Sequence, residues 1–146
     1  MPSLKKTLSK KGYIRIPVKI TKTNHIIIKV FINGIKGRFI LDTGASNSCV
    51  GLDEVSLFSI ETTISDVKAA GAGAVGMDTQ KSLGNKLKIG GWKTKKFDLV
   101  VFDMSHVNQA LVEYKEKEIN GIIGADILLR GNAIIDYKNS CFYLKK

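Results

Sequence analysis

The sequence predicts a mostly β, mostly antiparallel domain, and three observations carry that prediction. From Tyr13 onward, apolar and polar residues alternate with a period of two, which is typical of a strand with one buried face. Asn33-Gly34 lies between two runs rich in β-branched residues, and this pair is the strongest short-range signal for a hairpin. Strands and helices do not alternate along the chain as they do in parallel α/β folds.

The first part of the chain is predicted to be a tail, an edge strand and a hairpin. Residues 1–12 are rich in lysine and are expected to form a flexible basic tail. Pro17 cannot donate to a strand ladder, so the strand that begins at Tyr13 should lie at an edge or be irregular. The hairpin around Asn33-Gly34 ends in "FIL", so Asp42 lies in the loop beyond its second strand.

The remaining elements are assigned from periodicity and from glycine or polar turn signals. In order they are a helical turn at "LDEVSLF" (52–58), two arms around a glycine-rich tip (62–83), two strands that turn at Gly90-Gly91, a short helix within 105–118, a strand leading into a short helix that stops at Gly131, and a closing hairpin (132–144).

Size, charge and cysteine content limit the function classes. A chain of 146 residues is most simply one domain, here residues 13–146, with a core of its own. The formal charge is +10, but the lysines are dispersed in sequence and aromatic residues are not interleaved with them, so we expect a solvated surface with neither a nucleic-acid nor a membrane partner. Cys49 and Cys141 are too few for a disulfide framework and lack metal-ligand spacing with either histidine. A reduced, cytoplasmic protein without a metal or cofactor is expected, although one buried disulfide stays open.

Asp42-Thr43-Gly44 is the first stretch that indicates chemistry. Taken alone the triplet is a weak signal, because these three residue types are common in ordinary turns. Its context is more specific: it follows an apolar strand, a glycine-rich arm comes about 30 residues later, and "GIIGADIL" follows near the C-terminus. With "FILDTGAS" and the terminal "IIDYKNSCFYL", these segments have the order and approximate spacing of a known family.

From about Tyr13 to Leu144 the chain resembles the retropepsin-like aspartic proteases, the single-lobe, retroviral-type family with bacterial members. The resemblance implies a closed antiparallel acid-protease barrel with a flap hairpin and a short C-terminal helix. It implies peptide hydrolysis with Asp42 as the catalytic residue. Because the sequence holds a single Asp-Thr-Gly, the second aspartate would be Asp42 of another copy in a homodimer.

The resemblance also assigns supporting roles. Thr43, Gly44, Ala45, Ile123 and Gly124 would support the catalytic loop, with Ile122 packed beside them. The flap would contact an extended peptide substrate through Gly71, Gly73, Val75, Gly76 and Met77. Retroviral members carry an acidic residue and an arginine that brace the site; Ser46 and Ala125 stand at those positions here. Asp126 is either a substitute brace or an ordinary helix-start carboxylate.

Three alternatives accompany this interpretation. The segment 71–76 formally matches the dinucleotide fingerprint G-x-G-x-x-G, but no apolar helical pattern follows it, so we interpret it as the flap tip. The domain could instead be a catalytically weak member that binds extended peptides or serves as an interaction domain. A basic β-domain that binds nucleic acid is the third hypothesis.

Cys49, Cys141 and Trp92 are interpreted as packing residues, and His25 and His106 as surface residues.

Overall fold

The computed structural model describes residues 2–69 and 77–146, and strands dominate it. The strands are β1 Tyr13–Pro17, β2 Lys19–Ile20, β3 Ile26–Ile32, β4 Ile35–Leu41, β5 Cys49–Gly51, β6 Thr63–Ala69, β7 Met77–Ile89, β8 Trp92–Phe102, β9 Gly121–Ile123, β10 Ile134–Asp136 and β11 Cys141–Lys145. The helices are α1 Leu4–Lys10, α2 Ser105–Glu113 and α3 Ala125–Arg130, with a 3₁₀ turn at Leu52–Glu54. Apart from α1 and the short strand β5, which were not predicted, these elements confirm the predicted order.

Local turn chemistry forms the hairpin that leads to Asp42. Asn33 and Gly34 have φ of 50° and 86°, the left-handed values that a tight type I′ hairpin turn requires. The turn sets β3 and β4 in register from Ile32 opposite Ile35 to Ile26 opposite Leu41. The predicted hairpin is therefore confirmed, with Asp42 directly after β4.

Six strands close into a barrel in the order β3-β4-β9-β5-β8-β7, because β7 also pairs with β3. The resemblance implied an antiparallel barrel, but two strand pairs are parallel: β9 is parallel to β4, and β5 is parallel to β8. Strand β9 inserts between β4 and β5, whose connection is the Asp42 loop. The insertion places the residues that follow β9 directly beside that loop.

The alternating strand pattern separates two apolar clusters. On β3, Ile28, Val30 and Ile32 face the barrel interior together with Phe39 and other large side chains, all nearly inaccessible to solvent. Ile27, on the opposite face, belongs to a second cluster with Ile40 and Ile122 that Leu111 of α2 covers. Each such side chain stabilises the fold by about 1.5–3 kcal/mol. The two clusters fix β4 and β9 from both faces.

The prediction of a flexible tail over residues 1–12 is wrong for most of that segment. Leu4–Lys10 forms a helix, and the Ser3 side chain caps it by accepting a hydrogen bond from the Lys6 amide at 3.2 Å. Leu8 is buried against Cys141 and Tyr143 of β11. The helix forms because one apolar face meets the sheet β1-β11-β10, a long-range contact that the lysine-rich composition conceals.

The two arms of the predicted flap hairpin are present. Strands β6 and β7 pair antiparallel from Thr63 opposite Lys81 to Ala69 opposite Met77. Strand β7 then continues to Ile89 and turns into β8 at Gly90, as predicted. No helix among residues 2–69 and 77–146 is long and apolar enough to span a membrane.

Candidate functional site

The Asp42 carboxylate is fixed by backbone groups at the end of β4. The Asp42 amide donates to the Ile123 carbonyl at 2.9 Å, which continues the β4–β9 ladder by one residue. The Gly44 amide donates to Asp42 Oδ1 at 2.8 Å, and the Ala45 amide donates to the Asp42 carbonyl at 3.2 Å. No donor in the described part of the chain bonds Oδ2. One oxygen is therefore oriented and the other is available for chemistry.

Gly124 allows the loop after Asp42 to lie directly against the start of α3. A β-carbon at Gly124 would lie 2.5 Å from the Ala45 carbonyl oxygen and 3.1 Å from Asn47 backbone atoms. The Ala125 amide donates to the same Ala45 carbonyl at 2.7 Å. Because the atoms that the β-carbon would meet belong to the backbone, no side-chain rotation could make room for a larger residue at position 124. The structure thus brings Ala45, Ile123 and Gly124 together around Asp42, and their role in supporting catalysis stays a prediction.

Ser48 and Asp126 join the Asp42 loop to α3. Ser48 is completely buried; its amide donates to Asp126 Oδ2 at 2.8 Å and its hydroxyl donates to Asp126 Oδ1 at 2.7 Å. The same hydroxyl accepts from the Gly124 amide at 2.9 Å, and the Ile127 amide donates to Asp126 Oδ1 at 2.8 Å. Asp126 is therefore both a helix-start carboxylate and a brace. Reasoning from sequence did not identify Ser48, since a serine beside small polar residues carries no distinguishing signal.

Asp42 lines a cavity of about 840 Å³ between β4, the β2–β3 turn and α2. Thr43 also lines the cavity and is exposed. The walls are largely apolar, from Ile40, Ile122 and Leu111, and polar side chains also line the cavity. A cleft that is mostly apolar with a few convergent polar groups is typical of a site for an organic ligand.

The sequence analysis interprets His25 and His106 as surface residues, but both line the cavity. Thr23 Oγ1 donates to Glu116 Oε1, so the 2.8 Å contact between Thr23 Oγ1 and His25 Nδ1 has the imidazole N–H as donor. The hydrogen bond from the Thr23 hydroxyl lowers the pKa of Glu116, with smaller contributions from the Thr21 hydroxyl, the Thr23 amide and the His25 charge. His106 Nε2 is buried without a partner in the described residues. The sequence offered no signal, since Thr23 and Glu116 are 93 positions apart.

The predicted flap contacts fall mostly outside the described part of the chain. Gly71, Gly73, Val75 and Gly76 lie within residues 70–76, which are not described. Met77 is the first residue of β7, with its backbone opposite Ala69. The glycine segment is followed by a strand, whereas the dinucleotide fingerprint requires a helix there. The flap assignment of these five residues stays a prediction.

Neither cysteine is suited to act as a nucleophile. Both are free and buried. Burial, with smaller contributions from the Asp126 and Asp42 charges, raises the pKa of the Cys49 thiol to about 12, so the reactive thiolate is absent near neutral pH. Across residues 2–69 and 77–146, no group of three histidine, cysteine or acidic side chains could hold a metal ion. Among the groups that line the cavity, Asp42 is the carboxylate placed for acid–base chemistry.

Known proteins share this architecture. The chain is similar to a retropepsin-like aspartic protease from Rickettsia conorii, with a TM-score of 0.61 and 19% identity over 91% of this chain and 89% of that chain. It is similar to EIAV protease in complex with the inhibitor HBY-793, with a TM-score of 0.58 and 20% identity over 82% of this chain and 99% of that one. The retroviral protease-like domain of Ddi1 from Leishmania major gives a TM-score of 0.56 and 17% identity, over 82% and 87% of the two chains.

The sequence comparison is consistent with that fold. No curated protein matches the chain in sequence. The family profile described as aspartyl protease matches residues 28–127, a span that runs from β3 through the Asp42 loop to the first turn of α3. The matched segment thus contains the complete loop arrangement around Asp42, and the chain belongs to the aspartyl protease family, with the single-lobe retropepsin-like fold.

Proposed function

We propose that this protein is a homodimeric aspartic endopeptidase in which Asp42 of each chain activates a water molecule between the two carboxylates. The observation that carries the proposal is the fixation of Asp42: backbone amides orient Oδ1, while Oδ2 has no partner in the described residues and the carboxylate borders the large cavity. Family membership supports peptide hydrolysis as the reaction class. The three solved relatives named above are all described as proteases or protease-like domains.

A second copy supplies the partner carboxylate. The chain carries one Asp-Thr-Gly, and an aspartic dyad needs two carboxylates within hydrogen-bond distance. Two carboxyl groups at that distance cannot both be ionised without strong repulsion, so the pair holds one proton between them over a wide pH range. The exposure of Thr43 and Gly44 leaves this loop open to an identical loop across a two-fold axis. The dimer is therefore required for chemistry.

The reaction follows from the shared proton. The ionised carboxylate takes a proton from the bound water as it attacks the peptide carbonyl, and the protonated carboxyl group donates to the carbonyl oxygen. Collapse of the tetrahedral intermediate transfers a proton to the leaving amine and returns the dyad to its starting state. The backbone bonds to Asp42 keep the carboxylate in place during this exchange, so little reorganisation is needed at the moment of reaction.

The test is a peptide-library digest by wild type and by Asp42→Asn, with Asp53→Asn as the matched control. Asp53 is exposed in the 3₁₀ turn, outside the residues that line the cavity, so its amide variant should cleave like wild type. Asp42→Asn should lose essentially all hydrolysis with unchanged unfolding by urea, because an amide cannot act as base. Wild-type turnover in Asp42→Asn would contradict the aspartic mechanism. Peptide binding without cleavage by wild type would favour the interaction-domain alternative.

Mixing the two proteins tests the dimer separately. If equal amounts of wild type and Asp42→Asn exchange subunits, only about one quarter of the dimers keep both aspartates, so activity should fall to about one quarter of that in an equal mixture with Asp53→Asn, whereas independent subunits would keep about one half. Specific activity should also decrease as the wild type is diluted through its dissociation constant. The shared dyad would be contradicted if the mixture kept the full activity of its wild-type half and sedimentation showed that the active species is a monomer. A cytoplasmic location stays a prediction, with which the two free cysteines are compatible.

A further inference from the structure

Lysines that are far apart in sequence meet on one outer face of the barrel. In the register of the sheet, Lys36 on β4 lies opposite Phe31 on β3, Phe31 lies opposite Lys88 on β7, and Lys88 lies opposite Lys93 on β8. We call the following residues, drawn from four neighbouring strands, the basic face: Phe31, Lys36, Lys86, Lys88, Lys93 and Lys95. The five lysines are all exposed. These lysines are dispersed in the sequence, which argued against a nucleic-acid partner, but strand pairing brings them together on one face.

The basic face has the dimensions of a short strip. Neighbouring strands are about 4.8 Å apart, so the row from Lys36 to Lys93 spans about 14 Å. Lys86 and Lys95 lie two residues from Lys88 and Lys93 and project on the same side of the sheet. These four lysines border a groove of about 380 Å³ whose floor includes Phe31. A strip of this size covers two or three nucleotides of an extended strand.

The charges on the basic face are not compensated within the described chain. Lys88 and Lys93 are directly opposed across β7 and β8, and like charges in that arrangement destabilise a sheet. The one charged pair in contact among the described residues is His25 with Glu116, so no lysine of the basic face has an acidic partner there. A ligand with regularly spaced negative charges would relieve this repulsion.

Phe31 adds an aromatic surface between the lysines. The Lys88 ammonium lies 5.5 Å above the centre of the Phe31 ring, in a cation–π contact. An ammonium that moves to a nearby phosphate would vacate the ring for a base. Lysines that follow a backbone, with an aromatic ring on which a base can stack, are the two parts of a single-strand binding surface.

We propose that the basic face binds single-stranded nucleic acid. A membrane surface fits less well, because insertion needs apolar side chains that project beyond the lysines, whereas Phe31 is partly buried and lies beneath Lys88. A duplex fits less well, because the face is a sheet surface with no helix or protruding ribbon to enter a groove. The proposal is independent of peptide hydrolysis, since none of these residues lines the Asp42 cavity.

The experiment compares two double variants of equal net charge, Lys88→Gln/Lys93→Gln and Lys5→Gln/Lys117→Gln. Lys5 and Lys117 are exposed on α1 and on the segment after α2, elements that contribute no residue to the basic face. Binding of a fluorescein-labelled thymidine oligonucleotide of about 15 residues is followed by anisotropy between about 50 and 200 mM salt. Removing a like-charge pair should not weaken folding, and urea unfolding of both variants checks this.

Each phosphate contact on a single strand contributes about 0.7 to the salt slope, which is about fivefold in affinity at 0.1 M salt. Lys88→Gln/Lys93→Gln should therefore bind about 25-fold more weakly, with a slope smaller by about 1.4, while the control pair stays within about twofold of wild type. Equal losses in the two variants would show diffuse attraction by net charge and would overturn the proposal.

Phe31→Leu separates a single strand from other polyanions. Loss of one stacked base should reduce affinity at least about fivefold without changing the salt slope. Duplex of the same sequence and vesicles of anionic phospholipid should bind more weakly than the oligonucleotide and should be insensitive to Phe31→Leu. Equal binding of wild type and Phe31→Leu to the oligonucleotide, or tighter binding to vesicles or duplex, would overturn the single-strand assignment.

Discussion

Replacing Ser48 with alanine should destabilise the protein and the Asp42 loop together. The Ser48 hydroxyl donates to the Asp126 carboxylate and accepts from the Gly124 amide, and the residue is completely inaccessible to solvent. Alanine removes both bonds at the point where the Asp42 loop meets α3. Water cannot enter to replace them, because the site is buried.

The expected magnitude follows from the two lost bonds. A hydrogen bond to a charged group contributes about 1.5–3 kcal/mol, and a buried amide left without a partner costs about 1–3 kcal/mol. We expect the free energy of unfolding to fall by about 3–4 kcal/mol, which corresponds to about 10 °C in Tm for a domain of this size. We also expect kcat to fall more than tenfold, since a small displacement of an oriented group is costly.

The assay is urea unfolding followed by the fluorescence of Trp92, the single tryptophan. Trp92 is 5% exposed and its indole N–H donates to the Lys145 carbonyl at 3.0 Å, so its emission should report unfolding clearly. Ser46→Ala is the matched control, because Ser46 is exposed two residues earlier in the same loop. If the stabilities of Ser48→Ala and Ser46→Ala differed by less than about 0.5 kcal/mol, the Ser48–Asp126 network would not hold the loop.

Three further changes test other parts of the site. Because hydrogen bonds from Thr23 and the nearby His25 lower the pKa of Glu116 in the folded state, its carboxylate stabilises the protein above its usual pKa of 4.5. The stability advantage of wild type over Glu116→Gln in urea should therefore be present at pH 7 and disappear as the pH falls through the folded-state pKa; an advantage that persists in strong acid would contradict this. Cys49, with a pKa raised to about 12, should resist iodoacetamide at pH 8 in the native protein and react after unfolding, as mass spectrometry of the labelled peptides would show; rapid native labelling would refute its burial. Gly124→Ala should destabilise by about 3 kcal/mol and reduce cleavage, because its β-carbon would meet the Ala45 carbonyl oxygen at 2.5 Å, whereas Gly91→Ala, with its nearest contact at 3.5 Å, should be close to neutral in the same urea assay.

Elements that depend on neighbouring residues could be predicted from the sequence. Asn33-Gly34 specifies its turn by backbone conformation alone, and Gly131 ends α3 as expected. The carboxylate at the end of an apolar strand was likewise visible, because the β4 pattern and the triplet are adjacent.

Features made by distant residues could not be predicted. Ser48 and Asp126 are 78 positions apart, and nothing in either local pattern indicates the other. The α1 helix depends on Leu8 reaching β11, and the parallel β4–β9 pair depends on strand insertion rather than on any periodicity. The basic face shows the same limit, because the four strands that form it come together only through the barrel.

The insertion of β9 between β4 and β5 has a consequence for the order of events during synthesis. Asp42 leaves the ribosome before Ile123 and Gly124, which hold its loop and follow about 80 residues later. At a translation rate of about 5–20 residues per second, the Asp42 loop is synthesised several seconds before the residues that hold it. Under the proposed function, a nascent chain would carry the Asp42 carboxylate without the contacts that fix its loop, and would become able to cleave peptides only when nearly all of the domain has been translated.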